Sequence, residues 1–182
     1  MNGTRVGILI FILAVAAGPL YTVPGYSFTQ NLISELAAQN TPRNWVMAVA
    51  ILALGAGIVM DGARRVARQL VPFMAFGAFM GLAGLFGHKP IAADVPYVPW
   101  VHAAHSALAT AAGFCITFAF IWQAVRQPSR RHRAVAGVLA VVCVAFPLAM
   151  LSFPAVQGAI QRTMYALVFV WLWVNYPGKT RA

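Results

Sequence analysis

Acidic side chains are almost absent: Glu35, Asp61 and Asp94 are the only three in 182 residues, and all charged residues together make up 9% of the chain. A soluble protein needs a charged surface over its core, so this scarcity, beside 61% hydrophobic residues, excludes an ordinary soluble domain and points to a membrane protein. Cysteine is scarce too. Cys115 and Cys143 fall near the middle of separate apolar runs, which excludes a disulfide framework and leaves free, apolar-facing thiols as the expectation.

Long apolar runs fill most of the chain. About 20 residues are needed to cross roughly 30 Å of hydrocarbon as a helix rising about 1.5 Å per residue. Six runs approach that length: residues 6–23, 44–60, 70–87, 99–124, 135–153 and 158–176. No stretch remains for a soluble domain, so residues 1–182 form one domain. The first run, with Arg5 before it and the small residues Ala14, Ala16 and Ala17 within it, also resembles a signal peptide. Its extension to Val23 favours a retained helix.

The basic residues set the topology. With the N-terminus inside, six crossings put Arg5, Arg64, Arg65, Arg68, Arg126, Arg130, Arg131, Arg133, Lys179 and Arg181 on the cytoplasmic side and only Arg43, Lys89 and Arg162 outside. That bias follows the positive-inside rule, with Arg64, Arg65, Arg68, Arg130, Arg131 and Arg133 as its main determinants. The formal charge of +10 is therefore a topology signal. Such loops favour anionic lipid headgroups, and nucleic acid is not expected as a partner. The expected architecture is an all-α bundle of six transmembrane helices, multi-pass in the inner (cytoplasmic) membrane, with both termini cytoplasmic.

Two outer loops carry irregular sequence. In "SFTQNLISELAAQNTP" Ser27 and Gln30 have capping-box spacing, and Leu32, Ile33, Leu36 and Ala37 recur at helical spacing, predicting a short amphipathic helix with Asn31 and Glu35 on its polar side. Thr41 and Pro42 read as N-cap and first turn of the second spanning helix. In the third run Gly77, Gly81 and Gly84 make a small-residue face for close packing. Pro147 predicts a kink in the fifth.

The scarce ionisable groups then fall on one side. Glu35, His88, Lys89, Asp94, His102, His105, Arg43 and Arg162 all map to the outer end, leaving Asp61 and His132 among the inner basic residues. His102 and His105, three apart, share a helix face with Ser106 nearby, and His88 ends the preceding run across a loop stiffened by Pro90, Pro96 and Pro99. Three imidazoles with Asp94 are candidate ligands for catalytic zinc, although their spacing matches no close zinc signature. The bland alternative is that the histidines are hydrogen-bonded helix-end groups. A haem is not expected, since axial ligands face each other from two helices and only His88 opposite His102 would qualify. Arg162 lies about one turn inside the last helix, where an unpaired guanidinium costs about 1 to 3 kcal/mol. The expected partner is Glu35 or Asp94, unless the side chain simply extends to the headgroups.

The stretches "LISELAA", "GLFGHKPIAADVPYVPWVHAAHSALA" and "QGAIQRTMYAL" resemble the bacterial and archaeal membrane proteins grouped as domain of unknown function nine-nine-eight. That family's recurring features fall here on Ser34 and Glu35, Gly84 to Phe86 with Asp94, His102, and Gln161 with Arg162. Gly87 and His88 stand where the family pattern has proline. The resemblance covers nearly the whole chain and implies the architecture and these residues, with no established activity. A looser similarity is to alkaline-ceramidase-type membrane hydrolases, which set a Ser, an Asp and three His around zinc. Their spacing is not reproduced here.

Whether the protein is an enzyme stays open at this point. The preferred expectation is a non-enzymatic binding or accessory membrane protein, in which Ser34, Glu35, Asp94, Gln161 and Arg162 form a structural polar network and the apolar faces meet lipid or a partner membrane subunit. The alternative is a zinc hydrolase of a lipid-like substrate at the outer leaflet, with His88, His102 and His105 as ligands and Glu35 and Asp94 as catalytic carboxylates. A proton-coupled transporter ranks third, because no ionisable group sits clearly at mid-membrane and no inverted repeat is visible.

Overall fold

The computed structural model describes residues 1–65 and 67–176. Lys179 and Arg181 of the expected cytoplasmic set lie outside them. Among the described residues seven helices form: α1 (Gly3–Ala16), α2 (Gly18–Tyr21), α3 (Trp45–Ala63), α4 (Val71–Ala83), α5 (Pro99–Arg126), α6 (Arg130–Ser152) and α7 (Gln157–Asn175). Each predicted apolar run yields helix. Three of them, α3, α5 and α6, are long and apolar enough to cross a membrane. The polar start of α7, with Gln157, Gln161 and Arg162, dilutes its hydropathy, and α1 and α4 are shorter.

Each long helix packs on the next, α1 on α3, then α4, α5, α6 and α7 in turn. α7 returns to α1 with only slight contact, through the edge-to-face pair Phe11 and Phe169 at 5.1 Å. Within this ring α3 is central: half of its apolar window is buried, against 17% for α6, which exposes Val138, Val141, Leu148 and Leu151. The centre is built on glycine. A Cβ on Gly55 would lie 2.7 Å from the Gly81 Cα, and one on Gly7 would lie 2.6 Å from the Leu54 Cα, so α4 and α1 both approach α3 backbone to backbone. The expected packing role of Gly77 and Gly81 is met there.

Three local expectations are corrected. The first run is not one helix: α1 ends at Ala16 and α2 restarts at Gly18, because Pro19 has no N–H with which to continue the α1 hydrogen-bond ladder. The predicted amphipathic helix is only a 3-10 turn, Ile33–Ala37, with Ile33, Glu35, Leu36 and Ala37 all buried. Its apolar residues are inserted into the bundle rather than laid on it. The Ser27 hydroxyl does accept from the Gln30 N–H at 3.4 Å, but Asn31 rather than Gln30 accepts from the Ser27 N–H, at 2.8 Å. Finally, α3 starts at Trp45, not at Thr41 and Pro42, since the Thr41 hydroxyl donates to the Ala38 carbonyl at 2.8 Å and closes the preceding turn. α6 runs through Pro147, and both cysteines are free.

Candidate functional site

The two ends of the bundle differ in chemistry and are called here the histidine end and the arginine end. At the histidine end, residues 22–44 and 84–98 are sewn together by one amide. Gln39 donates from Nε2 to the carbonyls of Gly87 (3.0 Å) and Val98 (3.3 Å), accepts from the Val98 N–H at Oε1 (2.9 Å), and gives its backbone N–H to the His88 carbonyl (2.8 Å). Asn40, at φ 56°, adds a bond from Nδ2 to the Pro96 carbonyl at 2.8 Å. Asparagine tolerates this left-handed backbone better than most residues.

The three histidines do meet. The His88 ring lies edge-on to His102 at 4.6 Å and to His105 at 5.4 Å between centroids. Their tautomers follow from their partners. His105 Nδ1 donates to the carbonyls of Ala83 (2.9 Å) and Phe86 (2.8 Å), and His88 Nδ1 donates to the Lys89 carbonyl (2.9 Å). His102 Nδ1 instead accepts the Lys89 N–H at 3.3 Å, which puts its proton on Nε2. His105 thereby closes the end of α4, where carbonyls lack helical donors. Burial pushes His88 down to about 4, and the neighbouring His105, His102 and Lys89 charges act in the same direction.

Asp94 is exposed and makes no hydrogen bond or ion pair among the described residues. Among those residues no group of three or more His, Cys, Asp or Glu side chains is arranged to hold a metal ion. His88, His102 and His105 are neighbours in space.

Arg162 also departs from expectation. Its Nη1 donates to three carbonyls, Phe28 at 2.7 Å, Asn31 at 2.8 Å and Gly158 at 2.9 Å, while Nη2 donates to the Tyr26 hydroxyl. The rings of Tyr26 and Phe28 flank the guanidinium. No ion pair joins it to Glu35 or Asp94. The physical reason is that Glu35 is engaged elsewhere: its Oε2 accepts the Leu32 N–H at 2.7 Å and caps its own buried turn. Burial raises the Glu35 pKa, against the lowering effect of that bond and of the more distant Lys89 and Arg162 charges. Gln161 accepts the Ile33 N–H at 2.7 Å, so α7 grips the same loop twice. Ser34 is half-buried and its hydroxyl makes no hydrogen bond among the described residues.

Beneath Arg162 a cleft of about 520 Å³ opens between α1 and α7, where those helices barely touch. Phe11, Val15, Phe169 and Trp173 are among its walls, with Phe28 and Arg162 at its mouth. Among the described residues Arg162 is the only charged one lining it. The Nε of Arg162 is buried and has no hydrogen-bond partner among the described residues.

Sequence reasoning passed over Asp61, which is 3% exposed at the arginine end. Its carboxylate accepts the N–H groups of Gly3 (3.1 Å) and Thr4 (2.7 Å), capping α1 from across the bundle, with Arg64 at 3.7 Å. An acidic residue among arginines was the available signal. It reads as a surface ion pair until the packing of α1 on α3 is known.

No curated protein and no solved structure matches the chain. A family match runs over residues 5–175, which takes in all the long helices and both ends of the bundle. The chain therefore belongs to the family described as Protein of unknown function (DUF998).

Proposed function

We propose that the protein is a binding protein of the cytoplasmic membrane, with α1 and α3 to α7 crossing the bilayer, both termini and the arginine end inside, and an anionic amphiphile as its ligand. The basic-residue bias supports this orientation. At about 1.5 Å per residue the 14 residues of α1 reach about 21 Å, short of the hydrocarbon thickness, and α2 (Gly18–Tyr21) extends the span.

The observation that carries the binding role is an apolar cleft ending on a guanidinium that no carboxylate neutralises. Carbonyls and a hydroxyl satisfy Nη1 and part of Nη2 but leave the positive charge in place. The Nε–H and the remaining Nη2 proton form the edge with which arginine takes a carboxylate or phosphate in bidentate fashion. An acyl chain moving from lipid into the cleft gains little hydrophobic energy, because it exchanges one apolar surrounding for another. Discrimination must come from the head, where a charge-assisted hydrogen bond contributes about 1.5 to 3 kcal/mol.

Native mass spectrometry of the protein released from nanodiscs of mixed anionic and zwitterionic lipid tests this reading. Wild type is expected to retain anionic lipid with about tenfold enrichment. Arg162→Gln, which removes the charge, and Ala166→Trp, which fills the cleft away from the loop, should each abolish the enrichment. Retention unchanged in both variants rejects the cleft as a binding site.

A further inference from the structure

A second cavity, which shares only Val174 with the lining of the α1 and α7 cleft, lies at the arginine end and has a volume of about 640 Å³. Arg65, Arg126 and His132 line it together with Trp122, Gln123 and Ser129, and among the described residues no acidic side chain does. Asp61, the one acid at this end, is turned away onto the start of α1 and Arg64.

Three features make this more than a solvated run of arginines. Arg126 is held over the Trp122 ring, 5.3 Å from its centroid, so part of the charge is fixed in place. Ser129 precedes α6 without capping it by its side chain, so the free N–H groups of the first turn are left to a ligand or water beside a cavity that Ser129 and His132 both line. Gln123 is only 5% exposed, and while its side-chain oxygen accepts from Gln127, its NH₂ group has no partner among the described residues. Gln123 lines the cavity, so this NH₂ group is available to donate to a ligand oxygen there.

We infer that this cavity binds the phosphate group of a larger phosphorylated molecule. Backbone N–H groups at a helix start, guanidinium and imidazole donors, and a primary amide are all donors to phosphate oxygens. The volume exceeds what a bare phosphate fills, and the walls include Leu70, Trp171 and Val174, so an organic portion is accommodated beside the anion. The same chemistry has two sources, a soluble phosphate monoester and the headgroup of an anionic phospholipid in the adjoining leaflet.

The test uses the full chain and reads its thermal unfolding midpoint. In detergent it is titrated with glycerol 3-phosphate; in nanodiscs, phosphatidylcholine alone is compared with phosphatidylcholine plus phosphatidylglycerol. Saturable stabilisation by the soluble ester, weakened about tenfold in apparent affinity by Arg126→Gln or His132→Gln, supports the site with a soluble ligand. Stabilisation by phosphatidylglycerol alone, lost in the same variants, supports it with a lipid headgroup. Arg133→Gln removes a charge from the same helix outside the cavity and should leave either response unchanged. No stabilisation from either source, or equal loss in Arg133→Gln, overturns the proposal, the latter by reducing it to general surface charge.

Discussion

The histidine end gathers acids, histidines and single cations, and Glu35, His88, His105 and Arg162 among them are tied into the fold; the arginine end carries mainly arginines, most of them in solvent. Each end nevertheless buries one carboxylate for the same purpose. Glu35 accepts the N–H of Leu32 within its own turn, and Asp61 accepts two N–H groups from a helix far away in sequence. What separates the ends is how cations are stabilised. Arg162 is surrounded by carbonyls and a phenol, whereas Arg130, Arg131 and Arg133 are exposed to solvent. The number of charges at an end therefore says little about how specifically they are held.

Breaking the shared feature should produce the largest effect. Asp61→Ala strands the N–H groups of Gly3 and Thr4 and is expected to destabilise the protein by about 3 kcal/mol, seen as a lowered unfolding midpoint in detergent. A cost below about 1 kcal/mol would mean that water replaces the carboxylate and that α1 is held by its glycine contacts alone.

Acidification should separate the two ends. His88 has its folded-state value lowered from 6.5 to about 4, so between those values the unfolded chain binds the proton and the folded one does not. Stability contributed by neutral His88 is complete above about pH 6.5 and lost as pH falls toward 4, by up to about 3 kcal/mol. Hydrogen exchange should accelerate first around Gln39 and His88. Uniform acceleration at both ends would disprove a local origin.

The smallest effect is expected from Glu35→Gln, which keeps an acceptor for Leu32. Because burial raises the Glu35 pKa, the folded state favours the protonated carboxyl, and wild type loses stability as pH rises from the ordinary carboxylate range through the folded value. The variant should lack this loss and stay within about 1 kcal/mol of wild type at neutral pH. A much larger cost at neutral pH would show that the charge itself matters, through the electrostatic influence of Arg162 or Lys89.

The six helical regions were legible in the sequence because apolar runs of that length have few alternatives. The same holds for the gathering of His88, His102, His105 and Arg162 at one end, which follows once the crossings are counted. Their partners were not legible. Arg162 and His105 bond to backbone carbonyls, which every residue has and no motif announces. The segment after Ser27 misled for a related reason: Leu32, Ile33, Leu36 and Ala37 repeat like a helix face, yet their burial between α3 and α7 favours a compact turn pinned by Glu35 and Gln161. Asp61 was hidden because its partners, Gly3 and Thr4, lie nearly sixty residues away.

The glycine contacts around α3 also bear on how this chain can vary. Where two backbones touch, even one added methyl group displaces a whole helix, and Gly7, Gly55 and Gly57 sit at such points. The outer surface of α6 has no comparable constraint and can exchange one apolar residue for another. Tolerance to substitution should therefore fall from the rim of the ring to its central helix, so a library scanned for survival would trace α3 without reference to any activity.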